Sequence, residues 1–410
     1  MAERTLTLRE LNRATLARQL LLPRQRRPAR VPSGVAAGGI AVQGAAVRGT
    51  PALDSAVQSA AVLDTPVRDA AILDAVRRIA GLQSQSSRAA AVGLWTRLPA
   101  LRRERIADLM QRRLLVKGSL MRVTQHLVTA ADYLVLRPAL QPTLTRWAEG
   151  MLRRRAPAVE LARLAAAARP FFDEPHSATE LRAFLEGLRL EADVAAMALA
   201  VQIHLPLLQV PMPAAVWGVP GNPKFVNADT WLGRAIPEAR GPRELITRYL
   251  AAFGPARVAD IQAWSGVSRL GEEVSRLRPE LRIFRDERGR ELVDLPGAPI
   301  PPAGRAAPPR LVPAWDETLL AYADRSRIVP PEFHVPVYAA NRLIGPAVLV
   351  DGLVAALWAI EKEPGGVTVV IRPLAPLPGE AREALALEGE RLAGFAEPEA
   401  AVLGVRFADG

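Results

Sequence analysis

One segment of the chain, residues 241–296, orders its elements in a way that few folds permit. Two amphipathic helices are separated by a Gly-Pro turn at 254–255, and a third helix follows a Ser-Gly turn at 265–266. Two short alternating strands then flank a charged tip at 286–289. A helix-turn-helix followed by a two-stranded ribbon predicts a winged helix, in which one helix enters a nucleic-acid groove and the ribbon contacts the backbone.

The same order recurs in the preceding part of the chain. In the first recurrence, helices over 88–98 and 101–113 precede a ribbon over 114–129 that turns at Lys117-Gly118. In the second, helices over 177–188 and 191–203 precede a strand over 205–211. After a Pro-rich linker at 299–309, hairpin strands alternate up to a Glu-rich helix at 379–395 and a final strand. The pattern predicts an α+β fold class with tandem winged-helix domains.

The positive charge of the chain is concentrated in its first third. The whole chain carries +11, from 53 Lys and Arg against 42 Asp and Glu, whereas residues 1–155 contain 26 basic and 10 acidic residues, or +16. Such asymmetry favours a polyanionic partner, most often nucleic acid. An Arg- and Ala-rich chain encoded by a GC-rich genome would show part of the same bias.

The composition argues against several other kinds of site and chain. The chain has no cysteine, which excludes disulfides and cysteine-ligated metals, and its four histidines are far apart in sequence, so neither a metal site nor a cofactor is predicted. The uncharged segment 194–223 contains five prolines, which favour a buried helix and strand over a membrane span. The N-terminus is charged and lacks a signal-peptide core. We expect a cytoplasmic, nucleoid-associated protein.

The N-terminal region combines a well-marked helix with a repeat. Thr7 and Glu10 form a T-x-x-E capping box, which predicts a helix over 8–22. Residues 31–70 are first Gly-rich and then contain two copies of a decapeptide with Leu-Asp at its third and fourth places. We interpret only the third copy, from residue 71, as a core helix, and 31–70 as a flexible insertion.

Gln83 and Gln85 stand just before the helix at 88–98. In a helix interior the two side chains would point about 200° apart, but in an extended segment or a turn residues i and i+2 project to the same side. Two converging carboxamides offer acceptor oxygens and N–H donors that can hold a water or a polar ligand. Taken alone, the pair is better explained as two surface glutamines in a loop.

Seven segments, which cover nearly the whole chain except about 31–70, form a recognisable set. They are "LTLRELNRATLARQ", "GLQSQSSRAAAVGLWTRL", "KGSLMRVTQHLVTAADY", "LPLLQVPMPAAVWG", "LAAFGPARVADIQAWSG", "DETLLAYADRSRIVP" and "PAVLVDGLVAALWAI". In this order they resemble the AlkZ-like, or YcaQ, family of DNA glycosylases. The family's Q-x-Q signature falls on Gln83-Ser84-Gln85, so the resemblance implies that Gln83 and Gln85 are catalytic. Ser84 departs from the family pattern, in which the middle position is usually apolar.

The resemblance also implies an architecture and a substrate. It implies three winged helices and a β-barrel-like domain in a C-shaped arrangement around a DNA channel. The domains would be winged helix 1 at 1–140 with the insertion 31–70, winged helix 2 at 141–236, winged helix 3 at 237–298, the linker at 299–309 and the β-barrel domain at 310–410. The implied substrate is double-stranded DNA with alkylated purines or interstrand crosslinks.

Neutral amides suffice for this chemistry. Ordinary glycosidases use two carboxylates, but a purine alkylated on a ring nitrogen is already cationic and departs as a neutral base without a general acid. The enzyme then has to position a water and stabilise an oxocarbenium-like state. We expect both carboxamide oxygens to accept from that water, with no carboxylate pair nearby. No lysine adjoins the glutamines in sequence, so a monofunctional enzyme is expected.

Seven further side chains are candidates for DNA contact. They are Arg88, Arg122, Thr124, Gln125, His126, Arg325 and Arg327. The residues 124–126 lie in the strand after the first ribbon, where the resemblance implies an approach to DNA near the lesion, and arginine suits phosphate through its bidentate geometry. The alternatives are a structural role for His126, solvated or capping arginines, and a structural ion pair of Asp324 with Arg325.

Two functions are compatible with these observations. The first is a monomeric DNA glycosylase that needs neither metal nor cofactor. The second is a non-catalytic winged-helix DNA-binding protein, such as a regulator or a damage-binding factor. A regulator would bind specific sequences as a symmetric dimer, whereas a glycosylase would show little sequence preference and strong salt dependence.

Overall fold

The computed structural model describes residues 4–23, 68–238, 241–338 and 345–408. Its helices are α1 Leu8–Arg18, α2 Asp69–Arg78, α3 Ser87–Arg97, α4 Arg103–Gln111, α5 Ala130–Arg155, α6 Leu161–Ala168, α7 Ala178–Gly187, α8 Val194–His204, α9 Ala228–Leu232, α10 Arg243–Phe253, α11 Val258–Ser265, α12 Gly271–Leu277, α13 Glu317–Leu320, α14 His334–Val337 and α15 Gly379–Ala396. Residues 31–67 of the predicted insertion, with the first repeat copy and most of the second, lie outside the described ranges. The predicted helix of the third copy is present, but α2 begins at Asp69, within the last residues of the predicted insertion.

The strands form three sheets. They are β1 Thr5–Leu6, β2 Leu82–Gln83, β3 Leu115–Ser119, β4 Gln125–Thr129, β5 His176–Ser177, β6 Leu207–Gln209, β7 Lys224–Asn227, β8 Arg282–Asp286, β9 Glu291–Asp294, β10 Arg310–Val312, β11 Ala347–Val350, β12 Leu353–Glu363, β13 Gly366–Pro373 and β14 Val402–Phe407. The sheet orders are β1-β8-β9, β2-β4-β3-β6-β7-β5 and β10-β11-β12-β13-β14. The fold is therefore of the mixed α+β class, as predicted.

The helix-turn-helix and ribbon of residues 241–296 have the predicted order. Helices α10, α11 and α12 precede the antiparallel pair β8 and β9, and the N-terminal strand β1 adds to β8 in parallel. The predicted capping box is also present, because the Thr7 side chain accepts from the Glu10 backbone and the Glu10 side chain accepts from the Thr7 backbone. These local signals were sufficient to define the helix start.

The first ribbon forms, but its predicted turn is wrong. Lys117 and Gly118 both lie inside β3, and the chain turns instead through the 3₁₀ segment Met121–Val123. Gly118 is required by packing between strands, since a Cβ there would lie 2.9 Å from the Leu207 carbonyl oxygen. Through this contact β3 joins β6, so one six-stranded sheet includes strands of the predicted domains 1–140 and 141–236. The domain boundaries themselves stay predictions.

The prediction of a β-barrel is wrong for the described residues. Within the described ranges, β10 and β14 are the two edges of an open five-stranded sheet and do not pair with each other. Strand β14 lies parallel to β13, and a parallel pair needs a crossover connection, which α15 supplies. The buried Leu385 and Leu392 of α15 belong to the same hydrophobic cluster as Val367 and Ile371 of β13. The helix therefore covers the sheet in place of closure.

The third sheet also supports α3, the helix that follows the two glutamines. Trp95 of α3 and Trp358 of β12 belong to one buried cluster, and Thr96 donates a hydrogen bond to the Leu311 carbonyl at 2.5 Å. Arg97 and Asp316 form a buried two-hydrogen-bond ion pair at 2.8 and 2.9 Å. These contacts fix the start of α13 against α3.

Among the described residues, no helix is both long enough and apolar enough to cross a membrane. The uncharged segment 194–223 contains helix α8 and strand β6, the buried helix and strand that were predicted.

Candidate active site

Gln83 and Gln85 occupy an extended segment that ends in a bend. Gln83 is the last residue of β2 and is only 7 % exposed, whereas Gln85 is exposed in the bend before α3. The α3 helix starts at Ser87, with Ser86 as its N-cap, so neither glutamine lies inside a helix. Ser84 between them is buried, and its backbone N–H donates to the Gln125 carbonyl at 2.7 Å.

Two left-handed residues redirect the chain from α2 into this segment. Ala80 has φ 60° and Gly81 has φ 87°, and β2 then pairs antiparallel with β4 through Leu82 to Leu127 and Gln83 to His126. An added Cβ at Gly81 would lie 2.5 Å from Val128 Cγ1. Glycine is therefore required here for both conformation and space.

We expect Gly81→Ala to lower the free energy of unfolding by about 1–3 kcal/mol, because it adds a steric overlap with β4 to an unfavourable φ. Urea denaturation measures the change. Gly187→Ala is the matched control, since a Cβ added there would have no neighbouring atom within 4 Å, and it should be neutral or slightly stabilising. Equal effects of the two substitutions would contradict this explanation of the turn.

The Gln83 carboxamide is held from one side by an arginine. Its Oε1 accepts a hydrogen bond from Arg122 Nη2 at 2.7 Å, and the same nitrogen donates to Glu317 Oε1 at 2.7 Å. Arg122 Nη1 donates to the Trp264 carbonyl at 2.7 Å. The Arg122 side chain is 18 % exposed, and its guanidinium is directed toward these protein partners.

His126 is part of the same buried network. Its ring is 0 % exposed, with Nε2 3.2 Å from Glu317 Oε1 and Nδ1 3.0 Å from the Thr124 carbonyl oxygen. In this structure His126 supports the site from behind Gln83.

Glu317 is a member of this network that was not predicted from the sequence. Its side chain is 3 % exposed, and its Oε2 has no hydrogen-bond partner among the described residues. Burial alone would raise its pKa, but the positive charge of Arg122 and the hydrogen bonds from His126 and Arg122 outweigh burial and hold the pKa of Glu317 at about 2. A single buried carboxylate is therefore linked to Gln83 through Arg122.

Gln85 contacts the same hairpin at the surface. Its Oε1 accepts from the Gln125 backbone N–H at 3.3 Å. The Gln125 side chain donates to Ser119 Oγ at 2.8 Å, and Thr124 Oγ1 donates to the Met121 carbonyl at 3.0 Å. The exposed Gln85 thus contacts the half-buried Gln125, which follows the half-buried Thr124 in the chain.

The other predicted arginines lie outside this network. Arg88 is 3.8 Å from Glu397 and stacks over the Trp217 ring at 5.9 Å. Arg325 lies over the Tyr338 ring at 4.2 Å and stays partly exposed. Arg327 is buried, donates to the Pro255 carbonyl at 3.1 Å and packs over the Tyr322 ring.

Lys117 is the lysine of the strand next to β4. It is 5 % exposed and donates to Ser87 Oγ at 3.1 Å, and burial lowers its pKa to about 8. Its neighbour Gly118 pairs with His126, which in turn pairs with Gln83. Because side chains alternate along a strand, Lys117 points to the face of the sheet opposite Gln83.

The space behind Gln83 is small. The cavity that Gln83 and Glu317 line has a volume of about 10 Å³, the lower limit for a single water. Any ligand larger than one water must therefore approach Gln83 from the exposed side, where Gln85 lies. Among the described residues, no three His, Asp or Glu side chains are grouped as ligands for a metal.

Comparisons with known proteins bear on the family and the fold of the chain. The model of a family described as "DNA glycosylase AlkZ-like" matches residues 76–395. The fold matches the solved structure of Streptomyces sahachiroi DNA glycosylase AlkZ with a TM-score of 0.71, over 98% of this chain and 100% of that chain, at 20% sequence identity. None of the curated proteins is significantly similar in sequence. At this identity the structural match shows a shared fold.

Proposed function

Because the chain belongs to the AlkZ-like family of DNA glycosylases, we propose that it excises alkylated purines from double-stranded DNA with Gln83 and Gln85. Family membership makes the protein a hydrolase of N-glycosyl bonds that acts on DNA. The observation that carries the finer proposal is that one hairpin, β3–β4, holds both carboxamides, Gln83 through Arg122 and Gln85 through the Gln125 backbone.

The proposed mechanism assigns the glutamines to the attacking water. Each Oε1 accepts one hydrogen bond from the hairpin, and a carbonyl oxygen has a second lone pair that is available to a water. A water that donates to both oxygens is positioned for attack on the anomeric carbon as the bonding electrons of the N-glycosyl bond leave with the base, which departs neutral, and the proton released by the added water passes to solvent. The negative ends of the carboxamide dipoles stabilise the oxocarbenium-like sugar.

The proposed DNA contacts follow from exposure. The half-buried Gln125 contacts Gln85 and Thr124 precedes it in the chain, so both are assigned to the nucleotide that carries the lesion. The partly exposed Arg88 and Arg325 are assigned to backbone phosphates. Arg122, His126 and Arg327 are committed to protein contacts in the structure, which supports a role in holding the site for them.

Three finer features belong to the same proposal. The enzyme is monofunctional, and the placement of Lys117 on the face opposite Gln83 supports this, because the Lys117 amine is directed away from the proposed position of the sugar. It acts as a monomer on the nucleoid, because a DNA lesion does not require a protein with two-fold symmetry to bind it. Its substrate classes, carried over from the resemblance, are alkylated purines or interstrand crosslinks.

We expect DNA affinity to fall steeply with salt and to depend little on sequence. If about five phosphates are neutralised, log K against log [salt] has a slope of about −4.5, or an affinity loss of about 500-fold between 50 and 200 mM salt. Titration of two unrelated duplexes at several salt concentrations measures both quantities. A salt-insensitive preference for one sequence, bound by a dimer, would favour the regulator.

The experiment that tests the proposed function is excision from a duplex with a single ring-nitrogen-alkylated guanine, followed as alkali-labile sites. We expect such sites only in the alkylated strand, with no strand cleavage before alkali and no covalent adduct on borohydride reduction. Strand cleavage without alkali would contradict the monofunctional assignment, and retained binding without excision would favour a damage-binding factor.

A further inference from the structure

Three distant segments of the chain meet behind Gln83. They are β2, which carries Gln83, the turn of the β3–β4 hairpin, which carries Arg122, and α13, which carries Glu317. The single nitrogen Nη2 of Arg122 lies 2.7 Å from both Gln83 Oε1 and Glu317 Oε1. This arrangement is a relay of hydrogen bonds from a buried carboxylate to a proposed catalytic amide.

The backbone of the hairpin turn is strained where it carries Arg122. Arg122 has φ 52° and the β-branched Val123 has φ 61°, both left-handed conformations that such residues rarely adopt. The guanidinium is then oriented by the Trp264 carbonyl on Nη1 and by Glu317 on Nη2. Strain of this kind persists only where the surrounding contacts over-determine the conformation.

The relay determines which end of the Gln83 amide faces the water. The terminal torsion of a glutamine is broad and nearly two-fold, so a free carboxamide presents its oxygen or its NH₂ group with similar ease. Arginine has only donors, so contact with Arg122 requires the oxygen of Gln83 on its side and excludes the flipped amide. The proposed mechanism needs this oxygen, because its second lone pair accepts from the water.

Glu317 keeps Arg122 in place. An arginine near a DNA surface has phosphates as competing partners, and a buried carboxylate is the group that retains it by a charge-assisted hydrogen bond. His126 approaches the same Glu317 Oε1 at 3.2 Å from β4 and so limits the movement of the carboxylate.

We propose that Glu317 is a positioning residue, which acts through Arg122 to fix the orientation of the Gln83 carboxamide. The inference rests on the proposed function of Gln83. Because misplacement of a positioning group by about 1 Å can cost about 100-fold in rate, Glu317→Gln is expected to lower the single-turnover excision rate about 10- to 100-fold. Affinity for the alkylated duplex should change less than about 3-fold, since Glu317 is buried away from DNA.

A double-mutant cycle separates positioning from general support of the fold. If Glu317 acts through Gln83, adding Glu317→Gln to Gln83→Ala should lower the excision rate by less than about 3-fold beyond Gln83→Ala alone. Multiplicative losses in the double variant would overturn the proposal, as would wild-type excision by Glu317→Gln. Should Glu317→Gln fail to fold, Arg122→Lys tests the same link, because lysine keeps the charge but not the fork of donors.

Asp294→Asn is the matched control. Asp294 is also a buried carboxylate, with Arg18 nitrogens at 2.7 Å from both its oxygens, and it lies outside the network around Gln83. When all variants are assayed below their melting temperatures, Asp294→Asn should excise the base at the wild-type rate. A loss of rate equal to that of Glu317→Gln would contradict a specific role for Glu317.

Failure of the proposed function has a different signature. If the wild type excises no base, a second double-mutant cycle compares the urea midpoints of unfolding of Arg122→Lys, Gln83→Ala and their double variant. Non-additive midpoint shifts would retain the relay as a structural fact and refute only the activity. Additive shifts would refute the relay itself.

Discussion

Alanine at both Gln83 and Gln85 is expected to lower the single-turnover excision rate of an alkylated duplex at least about 100-fold, which corresponds to about 3 kcal/mol of activation free energy. The two carboxamides are the groups proposed to orient the water and to face the sugar cation, and loss of one such group at other enzyme sites costs about 100- to 1000-fold. Quenched-flow or manual sampling with enzyme in excess measures the rate.

Binding and folding provide the checks on this result. Gln85 is exposed and Gln83 contributes one hydrogen bond to Arg122, so the double variant should fold and bind alkylated DNA within a few-fold of the wild type. Gln111→Ala is the control, because Gln111 is an exposed glutamine at the end of α4. An unchanged excision rate in the double variant would show that the Q-x-Q segment is not the catalytic one.

Asp316→Ala is expected to cause the largest loss of stability, about 3–5 kcal/mol in the free energy of unfolding, because it leaves Arg97 as a buried charge without its partner. Both side chains are 1 % exposed, so solvent screens the pair little. The pair joins α3, which follows the glutamines, to the residue before Glu317. Urea denaturation followed by circular dichroism measures the change.

Asp74→Ala is the control for this prediction. Asp74 pairs with Arg77 at the surface of α2, where the side chains are 42 % and 56 % exposed, and exposed pairs contribute about 0–1 kcal/mol. If Asp316→Ala and Asp74→Ala have the same small effect, the Arg97 to Asp316 pair does not hold α13 against α3 as the structure indicates.

The features that the sequence predicted correctly are those with local signals. The capping box of Thr7 and Glu10 marks the start of α1, and the alternating strands around 286–289 mark the ribbon β8–β9. Gln83 ends strand β2 and Gln85 lies in the bend that follows, so both lie outside a helix interior, in the local settings that the Q-x-Q spacing left open. In each case the determining residues are within a few positions of one another.

The features that the sequence did not predict depend on contacts between distant segments. The Lys117-Gly118 pair has the composition of a turn, but Gly118 serves the close approach of β6. The β-barrel prediction failed because the crossover by α15 makes β14 an edge strand, which the sequence of separate strands does not reveal. Glu317 was missed because nothing in "DETLLAY" indicates that its carboxylate meets Arg122 and His126.

Base release by the glutamine pair is tested most simply by chromatographic detection of the free base from a duplex with one ring-nitrogen-alkylated guanine, with wild type in excess and the Gln83→Ala/Gln85→Ala variant alongside. We expect stoichiometric release of the intact alkylated base by the wild type, an unbroken sugar-phosphate backbone, and release slowed at least about 100-fold in the variant. Equal release by both proteins, or DNA binding by the wild type with no base released, would contradict the proposed role of the two glutamines.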